Sequence, residues 1–405
     1  MKKKILIFSL AYFPKHVGGA EVAIKEITDR LSPEEFEFHL VCNRYDSTLP
    51  KVEQIGNVLV HRIGYASKNP SMADLKKLPL QLNKLTYQWW AYHQAKKLHK
   101  KHKYDGIWAM MAHATGVPAG KFKTKFPEVK YLLTLQEGDP PAYILKKMKM
   151  FGQAFYDAFE KADRLQVISN FLGRWAVEMG FKGQAVMIPN AVNTAHFTQE
   201  YSNEELREVR SGFGVSDNDV LMVTTSRLVH KNAVDDVIAS LVKLPEKVKF
   251  VVFGIGPDEE KLKQQAKDLG VADKVLFRGQ ITHDVMPKYL KACDIFIRPS
   301  RSEGMGNSFV EAMAAELPVI ATQEGGIADF LFDSKRNPEK GATGWAVDPD
   351  SPELIAEAVS EIMENEEEVK SVLERAKTMA IEKYDWDLIA GRMEHEVFAP
   401  LLNDK

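Results

Sequence analysis

The feature that most constrains this chain is a run of short, uninterrupted apolar segments alternating with amphipathic ones, played through twice. In the first half the apolar segments are 4–10 (KILIFSL), 36–42, 57–63, 104–110, 129–135, 162–169 and 185–190. Several are continuous β-rich runs, which read as strands covered on both faces. Between them, segments such as 20–31 (AEVAIKEITDRL) place apolar residues at helical spacing. Strands alternating with helices predict a parallel α/β sheet. The pattern restarts at 219–228 and continues through 249–256, 274–279, 294–300, 318–322 and 344–347, with helices over 232–243, 257–269 and 353–382. The expectation is two Rossmann-like domains, which suits a chain of 405 residues. The polar stretch 197–211 reads as the linker. It gives a first domain over 1–200, a second over 201–385, and a final helical pattern over 386–405 that nothing local places.

The net charge of −2 conceals a division. Residues 1–200 hold 29 Lys and Arg against 18 Asp and Glu, or +11; the rest hold 25 and 38, or −13. A basic half predicts an anionic surface or substrate. It carries no nucleic-acid fingerprint, so a nucleic-acid partner is not expected. The two cysteines, Cys42 and Cys293, are far apart and suit a reducing cytosol. The basic N-terminus and 5–8 are too short and too soon interrupted for a signal peptide. No stretch reaches the roughly 18 apolar residues of a membrane span. A cytoplasmic protein is expected.

The segment from Arg298 to Met313 (RPSRSEGMGNSFVEAM) carries the strongest chemical signal. A strand runs into a glycine-containing loop, and a helix begins near Asn307. Amides at a helix start, with the positive dipole end, attract phosphate. Gly304 and Gly306 allow close backbone approach to a ligand by the loop from Gly304 through Met305 and Gly306 to Asn307. Glu303 lies in the loop and Glu311 one turn into the helix. Ionised carboxylates accept hydrogen bonds only, which suits a ligand rich in hydroxyls, so one could hold sugar hydroxyls and the other a ribose.

Glu303-x7-Glu311, followed by AMAAELPVI, resembles the signature of family 4 retaining glycosyltransferases. Other segments fall in that family's order: Pro14-x3-Gly18-Gly19-Ala20-Glu21, Ser169, Ile188-Pro189-Asn190, Ser226-Arg227-Leu228, Gly254-x-Gly256-Pro257 and Phe277-x-Gly279. The resemblance spans nearly the whole chain. It implies the GT-B fold, two Rossmann-like domains facing across a cleft, with a C-terminal helix returning to the first domain. It also implies transfer of a hexose from a UDP- or GDP-linked sugar with retention, by front-face displacement. By that resemblance Glu303 would contact the donor sugar hydroxyls, Glu311 the ribose, and the amides from Gly304 to Asn307 the diphosphate; Arg227 would grip the leaving diphosphate, as a forked and permanently charged guanidinium can. The family lysine stands five residues after this arginine, where this chain has Asn232. Lys231 is one residue earlier, and either a phosphate contact or a solvated lysine satisfies it. Gly18 and Gly19 would lie near the donor phosphates, and His113 near the reacting sugar. Glu137, at another strand end, is an acceptor-side candidate. His16, His230 and His283 are loop histidines without such support. No metal and no cofactor are expected: Asp235-Asp236 and Asp348-Pro349-Asp350 read as surface charge.

Residues 71–103 contain eight lysines and one acid, Asp74, and Leu75, Leu78, Leu82, Leu85, Trp89 and Tyr92 recur at helical spacing from about Pro79. Two arrangements satisfy this pattern. One is docking on an anionic membrane, which would make the acceptor lipid-linked and place the protein on the membrane's inner face. The other is a core-facing stripe with a solvated basic face. Rivals to the transferase reading are a GT-B phosphorylase or epimerase, and a non-catalytic sugar-nucleotide-binding protein.

Overall fold

The computed structural model describes residues 2–15, 17–71 and 73–403, so His16 lies outside it. The chain divides into two compact units, Met1–Asn190 with Trp386–Lys405, and Ala191–Asp385. The first is built on β1 (Lys3–Phe8), β2 (Phe36–Asn43), β3 (Val52–Ile55), β4 (Val58–Ile63), β5 (Gly106–Met110), β6 (Lys130–Leu135), β7 (Arg164–Val167) and β8 (Val186–Met187). Their order is β3-β4-β2-β1-β5-β6-β7-β8, and only β3 pairs antiparallel. Leu6, Ile7, Phe8, Trp108, Leu132 and Leu133 are all buried. Each such side chain contributes roughly 1.5–3 kcal/mol on leaving water. β3 was not expected. Its sequence, VEQI, lies at the sheet edge with no residue buried, so it has no apolar run to betray it.

The C-terminal segment closes this first unit. Helices Trp386–Arg392 and Ala399–Asn403 flank a π-helical turn, Met393–Phe398. Phe398 packs against Phe36, Phe38 and Trp108 at ring distances of 5.9, 6.2 and 5.4 Å. Lys3 Nζ donates to the Leu402 carbonyl at 3.1 Å. The return of this helix to the first domain, implied by the family resemblance, is therefore present.

The second unit is built on β9 (Val220–Thr225), β10 (Val248–Phe253), β11 (Val275–Gly279), β12 (Ile295–Arg298), β13 (Val319–Ala321) and β14 (Trp345–Ala346), ordered β11-β10-β9-β12-β13-β14. All its pairings are parallel. Met222, Phe250, Val252 and Ile297 form its core with Ile238 and Ile355 of flanking helices. The boundary precedes the expected position near 200. Val192 donates its amide to the Tyr384 carbonyl at 2.8 Å, and Asn193 caps helix Thr194–Phe197, so 191–200 belongs with the second unit. Nor is 197–211 a linker. Most of it is helix Asn203–Phe213, started by a capping box in which Ser202 N donates to Glu205 Oε2 at 2.9 Å. The helical pattern over 353–382 is two helices, Pro352–Glu364 and Glu366–Lys383, broken at Asn365.

In the basic segment, the α-helix runs Asn83–His102 and follows a 3-10 turn, Leu80–Leu82, rather than starting at Pro79. Its covered face is Tyr87, Ala91, Ala95 and Leu98. Leu78, Leu85 and Trp89 are 68%, 47% and 63% exposed, and Leu75, Leu82 and Tyr92 are only half-buried. The stripe as read therefore faces the core only in part. Among the described residues, no helix is long and apolar enough to cross a membrane.

Candidate functional site

Each sheet has one point where the strand order reverses, and open parallel sheets bind ligands beyond the carboxyl ends of the strands there. In the second unit that point lies between β9 and β12; in the first, between β1 and β5. Arg227 follows β9, the Glu303 loop follows β12, Gly18-Gly19 follows β1, and His113 follows β5. The candidate residues thus gather at the switch point of their own sheet.

In the second unit, the Glu303 carboxylate is tightly held. Arg298 Nη2 donates to its Oε2 at 2.9 Å, and the Gly304 amide donates to Oε1 at 3.1 Å. Arg298 is itself buried, with its guanidinium 4.3 Å from the Phe309 ring centre. Burial lowers the Arg298 pKa, opposed by the charges of Glu303 and Glu311. Behind the loop, a Cβ on Gly325 would stand 2.0 Å from the Glu303 carbonyl, so only glycine fits there. Met305 is buried. Helix Asn307–Ala314 begins at Gly306, which has no side chain to cap the first amides. Asn307 Nδ2 lies 3.4 Å from the Ala191 carbonyl. Since the Gly304 amide already serves Glu303, the amides further along the loop are the better phosphate donors.

Glu311 Oε1 lies 3.1 Å from His283 Nε2. His283 had no support from the sequence, and 28 residues separate the pair. Arg301 is the other residue that sequence reasoning passed over. It ties together three acids read as surface charge, meeting Asp350 at 2.6 Å, Asp235 at 2.8 Å and Asp236 at 2.9 Å. It also donates to the His230 carbonyl at 2.7 Å, and its amide donates to the Lys231 carbonyl at 2.8 Å. Asp236 is buried, and burial pushes its pKa up to about 6 against the pull of Arg301. The Asp235-Asp236 pair thus joins the Glu303 loop to the Arg227 loop.

Arg227 is exposed, and Lys231 lies half-buried in a 3-10 turn, His230–Asn232. Asn232, at the family lysine position, is buried and donates to the Arg227 carbonyl at 2.7 Å. It braces the loop from inside. Gly256 presses on the same loop: a Cβ there would stand 2.0 Å from the Leu228 carbonyl, which explains the Gly254-x-Gly256 pattern as close backbone approach.

In the first unit, the Gly18 amide donates to Glu21 Oε2 at 2.8 Å, so it is already engaged, while space beside Gly19 is open. Burial raises the Glu21 pKa, and the Gly18 bond opposes this. His113 lies in a π-helical turn, Ala112–Gly116, a deviation frequent at functional sites. Its Nδ1 is 3.3 Å from Glu137 Oε1, and its amide lies 3.4 Å from the same oxygen. Glu137 is 1% exposed. Two residues singled out separately therefore form one pair, and burial makes Glu137 an orienting partner of His113 rather than an acid open to acceptor. Both cysteines are buried and free.

Comparison with known proteins bears on the family. The profile "Glycosyltransferase Family 4" matches residues 17–196, and "Glycosyl transferases group 1" matches 207–379. An uncharacterized glycosyltransferase of Methanocaldococcus jannaschii is 26% identical over 399 residues, 96% of each chain. A GDP-mannose-dependent alpha-(1-6)-phosphatidylinositol monomannoside mannosyltransferase of Mycobacterium tuberculosis is 28% identical over 230 residues, 54% of this chain and 57% of that one. The crystal structure of Anabaena HepE in complex with UDP and glucose superimposes with a TM-score of 0.75 at 20% identity, covering 98% of this chain and 100% of that one. From the ordered motifs, the two parallel-sheet units and these matches, the chain belongs to the family 4 glycosyltransferases of GT-B fold.

Proposed function

We propose that this glycosyltransferase moves a hexose from a UDP- or GDP-linked sugar to a hydroxyl of a lipid-linked acceptor, with retention and without a metal ion. The observation that carries the reading is the Glu303 carboxylate, held by Arg298 and Gly304 at the sheet switch point beside an uncapped helix start. Glu303 would accept from sugar hydroxyls, and Glu311, steadied by His283, from ribose. Negative charge grows on the departing diphosphate while the sugar becomes oxocarbenium-like. Arg227, Lys231 and the amides of Met305, Gly306 and Asn307 would stabilise that charge. A leaving phosphate oxygen would take the acceptor proton. Glu137 would orient His113 so that Nε2 meets the substrate.

The relatives support the substrate classes: the mycobacterial enzyme is named for GDP-mannose and a phosphatidylinositol mannoside, and HepE was crystallised with UDP and glucose. The acceptor class also draws on the outward-facing Leu78, Leu85 and Trp89 among eight lysines. An open hollow of about 510 Å³ adjoins them, lined by Ile63, Trp89, Trp90, His93, Gln94 and Lys97. Such a surface fits peripheral docking on the cytoplasmic face of an anionic membrane.

The test is turnover of UDP- and GDP-sugars with lipid acceptors, in EDTA, with the anomeric configuration of the product determined. Arg227→Ala should lower kcat by on the order of 10²–10³-fold, the loss seen when one donor to a developing anion is removed. Near-normal turnover in that variant would sink the assignment.

A further inference from the structure

A second cluster of ligating side chains lies on the face of the first sheet beneath the C-terminal end of helix Asn83–His102. Glu37 and His39 are two apart on β2 and so share a face. His39 pairs in register with Leu59 and Val41 with His61, which puts His61 on that face as well. Tyr104 and the last helical residue, His102, complete the group. The His39 ring is 4.4 Å from the His102 ring and 5.3 Å from the His61 ring, centre to centre.

We propose that Glu37, His39 and His102 form a binding site for one divalent transition-metal ion, zinc being the best match. One ligand atom from each lies within 4.8 Å of the others. Two donors bound about 2.0–2.1 Å from a tetrahedral zinc stand roughly 3.3 Å apart. His39 Nε2 and Glu37 Oε1 are 3.2 Å apart, already at that spacing. His102 is half-buried at the helix end. Two imidazoles, one carboxylate and a water make a familiar zinc donor set.

The surroundings also suit a ligand. A metal-bound imidazole typically donates its second nitrogen to an oxygen, which fixes its tautomer. His39 Nδ1 lies 2.6 Å from the Tyr104 hydroxyl. His39 is buried, so its ring is shielded from solvent at the site. His61, also buried beside it, has an Nε2 with no hydrogen-bond partner, a polar atom that a metal-bound water would satisfy. Lys4 Nζ lies 3.5 Å from Glu37 Oε2, leaving Oε1 for the ion. The site sits in the amino-terminal half of β2, whereas the sugar-transfer residues follow the carboxyl ends of β1 and β5. A bound ion would tie the helix end to the sheet and take no part in transfer.

The experiment uses the full chain, stripped with EDTA and titrated with zinc chloride by calorimetry, and with cobalt chloride by visible absorption. One equivalent should bind, with the intense visible bands of tetrahedral cobalt, and should raise the melting temperature. Glu37→Gln and His102→Ala leave the buried His39 in place and should each weaken binding at least tenfold. Tyr104→Phe should weaken it about tenfold through the lost outer bond. Absence of binding, or affinity unchanged in both ligand variants, would overturn the proposal and leave His39 a hydrogen-bonded core histidine.

Discussion

Both units hold a poorly exposed carboxylate beyond the end of a central strand, and they hold it in different ways. Glu303 is paired with Arg298, a group that stays charged and is itself buried against Phe309. Glu137 is paired with His113, whose Nδ1 lies 3.3 Å from the carboxylate. The first arrangement pins the carboxylate, so that it presents a set pair of oxygens to hydroxyl donors. The second uses the carboxylate to pin something else. On the proposed function, the carboxylate is the working group in the second unit and the support in the first.

The sharpest way to break this comparison is Glu303→Ala. It strands a buried guanidinium, and removing one member of a buried ion pair typically costs about 3–5 kcal/mol. Urea unfolding should show that loss together with loss of turnover. Replacing both partners with apolar residues, Arg298→Met with Glu303→Leu, should recover most of the stability and none of the activity. If Glu303→Ala unfolds at the wild-type urea concentration, water already screens the pair, and the pinned-carboxylate account fails.

Glu137→Gln tests the other half with a smaller effect. The shape stays, but the partner that orients the ring loses its charge. Because Glu137 acts through His113, kcat should fall on the order of 10²-fold while KM for the nucleotide sugar barely moves. A rise in KM with kcat intact would mean that Glu137 serves binding instead. His113→Ala should add little to the loss in Glu137→Gln, since two residues acting as one unit are not additive.

Much of this was readable in advance wherever the signal is local. Among the described residues, thirteen of fourteen strands announce themselves as apolar runs, most of them because a strand covered on both faces is largely apolar. β3 does not, because its VEQI alternates exposed with half-buried residues around Glu and Gln and holds no apolar run. The polar segment around Ser202 concealed a surface helix for the same reason, although its capping box was there to be read. At the site, the Glu303 loop was visible because strand, glycines and helix are contiguous. Its supports were not. Arg301 meets Asp235 and Asp350 across 66 and 49 residues, and no short window contains both ends. The basic helix shows a subtler failure. Periodicity identified a stripe, but the covered face is built around Ala91 and Ala95, whose small side chains draw less notice than the Leu and Trp facing water.

That outward stripe gives the weakest and most easily sharpened contrast between the units. Helix Asn307–Ala314 of the second unit buries Phe309, Val310, Ala312 and Met313, whereas helix Asn83–His102 leaves Leu85 and Trp89 in water among lysines. If the stripe meets a membrane, each lysine near an anionic surface contributes about 1 kcal/mol, and the aromatic anchor adds to that. The chain should then float with phosphatidylglycerol vesicles at low salt and lose most of that association as salt rises, because screening shortens the reach of the lysines. Trp89→Ser should weaken the association by roughly tenfold, on the order of 1–2 kcal/mol of lost burial. It should leave transfer to a short soluble acceptor untouched. Equal flotation with neutral and anionic vesicles would remove the lysines from the account, and no flotation at low salt would remove the membrane. In that second case the hollow beside Trp89 and Trp90 would have to be explained by the acceptor's own sugar or head group, which competition by the soluble acceptor for tryptophan fluorescence would reveal.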